Sequence, residues 1–422
     1  MSEDRPHVVV IGAGFAGLRA TRALARAPVH VTVLDRRNYH LFQPLLYQVA
    51  TAGLEPESIA SPVRAILRRQ RNAQFRLAEV RRIDFDAHRL ETSVGELSYD
   101  YLILAVGSAT NYFGLDSVRK HGFGMKSIEE AVSIRNQVLR QFELGIQERD
   151  PEIRAARLTL AVVGGGPTGV EMSGMLSELI RLVLTKDYPR LDLDDVRVIL
   201  LEATDHLLEG FPHRLQLATA AALKHKHVEV RLGARVRDFD GRRIQLADGG
   251  TIQTRTVIWA AGARAAPLVD RLGLEQDRLG RVVVTESLQL PRNDRVFVIG
   301  DAANAASAGE SHPMMAPVAI QQGRLAARNI MRMLDGRPLE RFAYRDPGTL
   351  ATIGRGSAVA RLGRFQFYGF TAWVLWLLVH LIQLIGFRNR LVVLINWAWD
   401  YFFYERAVRL ITADDLDEPP AA

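Results

Sequence analysis

The sequence predicts an α/β protein with two doubly wound domains followed by a set of apolar C-terminal helices. Two observations predict the doubled fold. A Gly-x-Gly-x-x-Gly turn occurs at Gly12, Gly14 and Gly17 and again at Gly164, Gly166 and Gly169, each time between a β-branched run and a helix-forming run. A third observation predicts the C-terminal helices: residues 370–387, FTAWVLWLLVHLIQLIGF, carry no formal charge apart from the titratable His380.

The bulk numbers set the class. A chain of 422 residues is long enough for two or three domains with large cores. Its 48% hydrophobic and 24% charged residues are those of a globular protein. Zero cysteines exclude disulfides, cysteine-ligated zinc, iron–sulfur clusters and thiol redox chemistry, and no metal site is expected. The net charge of +7 suits anionic partners such as nucleotide cofactors or an acidic membrane surface. Nucleic acid is not expected, because the arginines are scattered and no binding motif occurs. The start MSEDRPHVVVIG enters a strand at once, without the apolar core of a secretory signal.

The first turn follows VVVIG, a run suited to a buried parallel strand, and leads into the helix former GFAGLRATRALARA. Gly12, Ala13, Gly14, Phe15, Ala16 and Gly17 lie where the backbone must turn tightly and come close to a diphosphate, with free helix N–H groups facing the anion. The next strand, HVTVLD, ends in Asp35, an acid placed to accept hydrogen bonds from both ribose hydroxyls of an adenosine.

The second turn repeats this logic. RLTLAVVGGG precedes a helix beginning around Pro167, Thr168 and Gly169, and the strand DVRVILLE ends in Glu202. The 33 residues from Gly169 to Glu202 exceed the usual ~20, which implies an extended helix and loop. A terminal acid with no arginine immediately after it favours a nicotinamide with a free 2′-hydroxyl, hence NADH over NADPH. Two intact units imply two cofactors: a bound flavin at one turn and a nicotinamide at the other, with hydride passing from the second to the first.

Further strings narrow the reading. Tyr101–Gly114 (YLILAVGSATNYFG) and Thr256–Ala265 (TVIWAAGARA) look like the strand-plus-glycine crossovers of two-dinucleotide flavoproteins, and contribute Gly107 and Gly262. Arg295–Asn304 (RVFVIGDAAN) resembles the late strand that sets an aspartate, Asp301, on the flavin ribityl chain. Together with residues 39–64, 312–330 and 385–411, these make the chain resemble the type II, non-proton-pumping NADH:quinone oxidoreductases over nearly its whole length.

The resemblance implies FAD held non-covalently, NADH as co-substrate and a membrane quinone as acceptor. It carries over Tyr39, Gln43, Val80 and Gln321 as flavin neighbours, and Gln321 with Gln322 as the quinone contact. Pro317 stands where many members have a glutamine. Glu171, expected in the first turn of the second cofactor helix, takes the catalytic position, to orient the dinucleotide or relay protons; as a plain helix-end acid it would need no such role. The implied domains are a flavin domain at 1–112 and 286–340, a nicotinamide domain at 113–285, a membrane-anchoring region at 341–411 and a disordered tail at 412–422. The disulfide reductases and sulfide:quinone oxidoreductases of this fold need a cysteine pair that LFQPLLYQVATAG lacks. A reductase for a soluble acceptor such as a ferredoxin is the alternative; it would need no apolar C-terminal region.

That region reads as monotopic. Its 18 uncharged residues are at the lower limit for a span, and His380 and Gln383 share one face. The following helix puts Asn396, Asp400 and Tyr404 on one side, with aromatics and flanking arginines in the pattern of helices in the headgroup layer. The expected location is the cytoplasmic face of the cell membrane, with a single span as the second topology and a homodimer interface as another use of the same surface. A lone histidine on such a helix reads as a group turned to a neighbour, which leaves His380 outside the site.

Overall fold

The computed structural model describes residues 5–189, 191–307, 310–403 and 408–412. Within these the chain forms two compact units. The first takes in residues up to Leu41, Ala60–Ala109 and Ala263–Pro347; the second takes in Phe42–Ile59, Thr110–Gly262 and the residues from Gly348 on.

The first unit is built on a six-stranded sheet. Its parallel strands run in the order Asn293–Val298, Tyr101–Leu104, His7–Ile11, His30–Asp35 and Ala73–Leu77, and Gln289–Leu290 adds an antiparallel edge. Val8, Val9 and Val10 have no exposed surface, as expected of a central strand covered on both faces. The helices Phe15–Ala23 and Ala316–Leu334 pack so closely that a Cβ on Gly323 would collide with the Ala16 carbonyl.

The second unit carries a four-stranded parallel sheet in the order Val228–Arg231, Arg197–Leu201, Thr159–Val163 and Thr256–Trp259. The helix Pro167–Glu178 runs on without a break as a π-helical stretch, Leu179–Leu184, and a last turn, Thr185–Asp187. This continuation accounts for the long spacing between Gly169 and Glu202.

The compact units are cut differently from the expected domains. Residues 263–285 fill the first core through Val269, Val282 and Val284. Residues 42–59 fall in the second unit. The C-terminal region also begins as a sheet, with antiparallel strands Thr349–Gly354, Ser357–Leu362 and Phe365–Gly369. Its first strand lies so close to the helix Pro167–Glu178 that a Cβ on Gly174 would strike the Ile353 carbonyl. The helices Phe370–Gln383 and Phe387–Phe403 follow. Among the described residues no helix is long and apolar enough to cross a membrane. The 14-residue helix is ~21 Å long at 1.5 Å per residue, short of the ~30 Å hydrocarbon core, so the single-span topology is set aside. Tyr404 and the tail from 413 on lie outside the described residues.

Candidate functional site

The two glycine turns share one design. Gly12 (φ +105°) and Gly164 (φ +109°) adopt backbone that a side chain resists, and a Cβ on Gly164 would lie 2.7 Å from Ala261 Cα. Gly17 and Gly169 sit against the carbonyls of Gly12 and Gly164, where a Cβ would clash, so each helix packs tightly on its strand. A Cβ on Gly14 or Gly166 would meet nothing within 4 Å. Each turn therefore has open space at the one glycine that must let a diphosphate approach.

The strand-end acids are wired alike. Asp35 accepts from the N–H groups of Ala13 (2.7 Å) and Arg37 (2.8 Å). Glu202 accepts from the N–H groups of Gly165 and, at 2.7 Å, Thr204. The Thr204 hydroxyl also donates to Glu202, at 3.0 Å. A carboxylate has about four lone-pair sites, so Asp35 keeps two and Glu202 keeps one, or two once the Thr204 hydroxyl turns away, for a diol. Phe15 and Ala16 open the first helix, and Pro167 and Thr168 the second; Pro167 suits an N1 position whose N–H has no helical partner.

His40, which no sequence motif singles out, supports the first turn. Its Nδ1 lies 2.9 Å from the Ala13 carbonyl and so donates, and its ring meets Phe15 edge-on at 5.1 Å. Burial lowers its pKa, which keeps it neutral, and among the described residues its buried Nε2 has no hydrogen-bond partner. A single histidine in a strand carries no pattern that would have revealed it.

The remaining flavin candidates are placed as follows. Tyr39 opens the short strand Tyr39–Leu41, and Val80, 7% exposed, opens Val80–Asp84. Gly107 (φ +71°) follows the strand Tyr101–Leu104, and Asp301 accepts from the Ser108 hydroxyl at 2.6 Å. Gln43 begins a 3-10 turn, Gln43–Leu45, in the second unit. Gly262 (φ +103°) belongs to that unit too and follows the strand Thr256–Trp259.

The glutamine pair differs from expectation. Its helix starts at Ala316, with Pro317 in the first turn, so both glutamines lie a turn inside it. Gln322 is 1% exposed and accepts from the Gly300 N–H at 2.6 Å. Gln321 is tied to the Arg345 main chain through both ends of its amide. Gln322 therefore holds a buried turn instead of facing an open pocket.

Glu171 also departs from its expected setting. It is the fifth residue of the helix, beyond the first turn, and 8% exposed. Its carboxyl accepts from the Thr352 N–H at 3.4 Å, not from the helix end. Burial pushes its pKa up to about 8, against weaker downward pulls from the Thr352 N–H and from the nearby Trp376. Among the described residues the buried Trp376 indole N–H has no hydrogen-bond partner, and the Thr352 N–H is the donor that meets the Glu171 carboxyl.

Thr352 and Trp376 also line a partly open cavity in the second unit. Trp373, Trp397, Tyr401 and Leu182 supply apolar walls, and Gln48, Glu178 and Asp400 supply polar ones. Trp397 Nε1 donates to Gln48 at 2.8 Å, and Gln48 donates to the Tyr47 hydroxyl at 2.9 Å. His380 stands aside: its Nδ1 donates to the Trp376 carbonyl at 2.8 Å, its ring stacks on Trp376, and burial lowers its pKa to about 4. As the sequence suggested, it is turned to a neighbour.

The helix Phe387–Phe403 is amphipathic with its apolar side outward. Phe387 (82% exposed), Leu391, Leu394, Ile395 and Phe402 (70%) form an exposed stripe at helical spacing, while Asn389 is buried and Asp400 lines the cavity.

Comparison with known proteins matches these features. Residues 6–323 fit the family described as pyridine nucleotide-disulphide oxidoreductase, and residues 347–405 fit the NDH2 C-terminal domain. The type II NADH:quinone oxidoreductase Ndh of Mycobacterium tuberculosis (strain ATCC 25618 / H37Rv) is 40% identical, over 97% of this chain and 90% of that protein. The type II NADH:quinone oxidoreductase of Staphylococcus aureus (strain NCTC 8325 / PS 47) is 30% identical, over 85% of this chain and 90% of that protein. Among solved structures, NDH2 from Plasmodium falciparum in complex with NADH shares the fold at a TM-score of 0.86 and 20% identity, over 94% of this chain and 99% of that one.

Proposed function

The chain belongs to the type II NADH:quinone oxidoreductase family, and on that premise we propose that quinone is reduced in the cavity between Tyr47 and Trp397, beside Glu171. The family activity is the transfer of two electrons from NADH to a quinone. FAD supplies the hydride acceptor that makes NADH and a quinone chemically compatible. The turn at Gly12–Gly17 with Asp35 suits its adenosine diphosphate half, and Tyr39, Gln43, Val80, Gly107, Asp301 and Gln321 are the proposed further contacts. The turn at Gly164–Gly169 with Glu202 and Gly262 suits NADH.

The observation that carries the quinone site is the cavity itself. Its aromatic walls offer faces for a flat ring, and Gln48, Glu178, Thr352 and Asp400 on the same lining offer polar groups, the mixture a small-molecule site requires. Behind its lining Glu171 holds a proton at neutral pH, because burial disfavours the carboxylate. It is a proposed positioning residue, two residues beyond Gly169, its neutral carboxyl held next to Thr352. Gln321 and Gln322, bonded to Arg345 and Gly300, position local backbone in this reading.

Leu182→Trp tests the assignment by filling the cavity. The expected result is at least a tenfold loss of kcat/KM for a soluble quinone, with NADH:ferricyanide turnover retained. Unchanged quinone kinetics would place the site elsewhere.

Nucleotide choice follows from Glu202. NADH should be used far better than NADPH, because a 2′-phosphate would meet a carboxylate already fixed by two main-chain N–H groups. Glu202→Gln keeps an acceptor oxygen for the turn and should narrow the gap. Equal kcat/KM for the two nucleotides in the wild type would refute this.

We further infer attachment to a membrane surface through the outward stripe of Phe387–Phe403, on the cytoplasmic face, where the NADH pool lies. A second copy of the chain covering that stripe is the competing outcome, read by the oligomeric state in detergent-free solution.

A further inference from the structure

Glu171 and Glu178 are both buried acids of one helix, two turns or ~10 Å apart. Only Glu178 lines the cavity. Its Oε1 accepts from Lys226 Nζ at 2.6 Å and from the Arg355 N–H at 2.7 Å. The Lys226 side chain is 17% exposed, whereas that of Glu178 is 9% exposed, so the pair leads from the protein surface to the cavity wall.

The surroundings hold this pair in place. Gly354 (φ +116°) leaves room that a Cβ would take from Glu178 Oε1, and that Cβ would also come within 3.0 Å of Lys226 Cε. The Ser177 hydroxyl donates to the Lys226 carbonyl. Glu178 is the last α-helical residue before the π-helical stretch Leu179–Leu184. Such stretches recur at functional sites because they shift the helix register locally. Here it sets Leu182 and Val183 on the same cavity as Glu178.

We propose that the Glu178–Lys226 pair is the proton inlet of this cavity and delivers the proton that quinone reduction takes from solvent. The proposal rests on the cavity being the quinone site. The balance is NADH + H⁺ + quinone → NAD⁺ + quinol. The hydride brings two electrons and one hydrogen, and the second hydrogen is a solvent proton. That proton moves from Lys226 Nζ to Glu178 Oε1. The carboxyl O–H bond then breaks as the quinol O–H bond forms, and Lys226 takes up the H⁺ of the balance from solvent. Nothing is asked of Glu171 in this step, since it lies behind Thr352 and Trp376.

The test compares Glu178→Gln, Glu178→Asp and Lys226→Gln with Leu182→Trp, all as full-length protein with flavin bound. The readouts are the ratio of soluble-quinone to ferricyanide turnover and the solvent deuterium isotope effect on the quinone reaction. A positioned proton donor contributes about 10²–10⁴-fold, so Glu178→Gln should lower the ratio at least tenfold and enlarge the isotope effect. Lys226→Gln should do the same more weakly, and Glu178→Asp should recover part of the loss. Should Glu178→Gln fail to retain flavin, Lys226→Gln decides the matter alone. An equal fall with both acceptors makes the pair purely structural and overturns the proposal, as does an unchanged ratio. If Leu182→Trp also leaves quinone turnover intact, it is the cavity assignment that has failed. If only Leu182→Trp lowers it, the cavity stands and the inlet does not.

Discussion

At pH 9 the Glu171→Gln variant should melt well above the wild type, and at pH 4.5 the two should melt together. The Glu171 carboxyl has an ordinary value of 4.5 and is pushed up to about 8 by burial. Below 4.5 it is neutral in the folded and unfolded states alike, so it imposes no penalty. As pH rises, the unfolded chain releases the proton first while the folded protein keeps it until about 8, so stability falls across that window and then levels off. At ~1.4 kcal/mol per pH unit the full span amounts to an order of 5 kcal/mol, and in apparent melting temperature to an order of 10 °C. The amide that replaces the carboxyl does not titrate, so the variant's pH–stability profile should lack this slope. Parallel profiles for the two proteins from pH 4.5 to 9 would show that the folded protein carries Glu171 ionised. Turnover adds a second reading: if the neutral Glu171 carboxyl is needed to keep Thr352 in place on the cavity wall, wild-type kcat with quinone should decline through about pH 8, and the variant should lack that limb.

What sequence alone could reveal follows from how local each constraint is. A diphosphate approach demands glycines at fixed spacing within one strand–turn–helix, and the acid ending the next strand is one sheet position away. Gly12, Gly14, Gly17 and Asp35, and their counterparts up to Glu202, are therefore legible in the order of residues itself. The cavity is not. Thr352 reaches Glu171 across 181 positions of sequence, and Lys226 reaches Glu178 across 48. No periodicity announces either pair. For Gln322, carried over as a quinone contact, the sequence gives no sign of the Gly300 N–H that its buried amide accepts from, 22 positions away. The strands between Thr349 and Gly369 are absorbed into a membrane-anchoring region because short apolar β runs next to an apolar helix share its composition. For the last helix, periodicity reveals two unlike sides, but which side faces protein depends on where Asp400 and Trp397 find partners.

That orientation makes membrane release the other large effect. Cutting the chain after Arg364 would test it poorly, because Trp376 (1% exposed) and Val393 (0%) belong to the packing of the second unit and would leave a hole behind them. Ile382→Ser, Phe387→Ser and Phe402→Ser together keep that packing, since these side chains are 67%, 82% and 70% exposed. Fully burying such a side chain is worth about 1.5–3 kcal/mol, so the three together contribute on the order of 5 kcal/mol to insertion, roughly a thousandfold or more in partitioning. Wild-type protein should float with liposomes and stay bound at high salt, because apolar burial is not screened and the arginines add only a screenable part. The triple variant should remain in the soluble fraction with its flavin and its NADH:ferricyanide turnover intact. It should still reduce a soluble quinone and lose turnover with a long-chain quinone, which must be taken from the bilayer. Flotation of the triple variant, or release of the wild type by salt alone, would place the membrane contact on another surface. A soluble wild-type dimer that the three serines convert to monomer would assign the stripe to self-association.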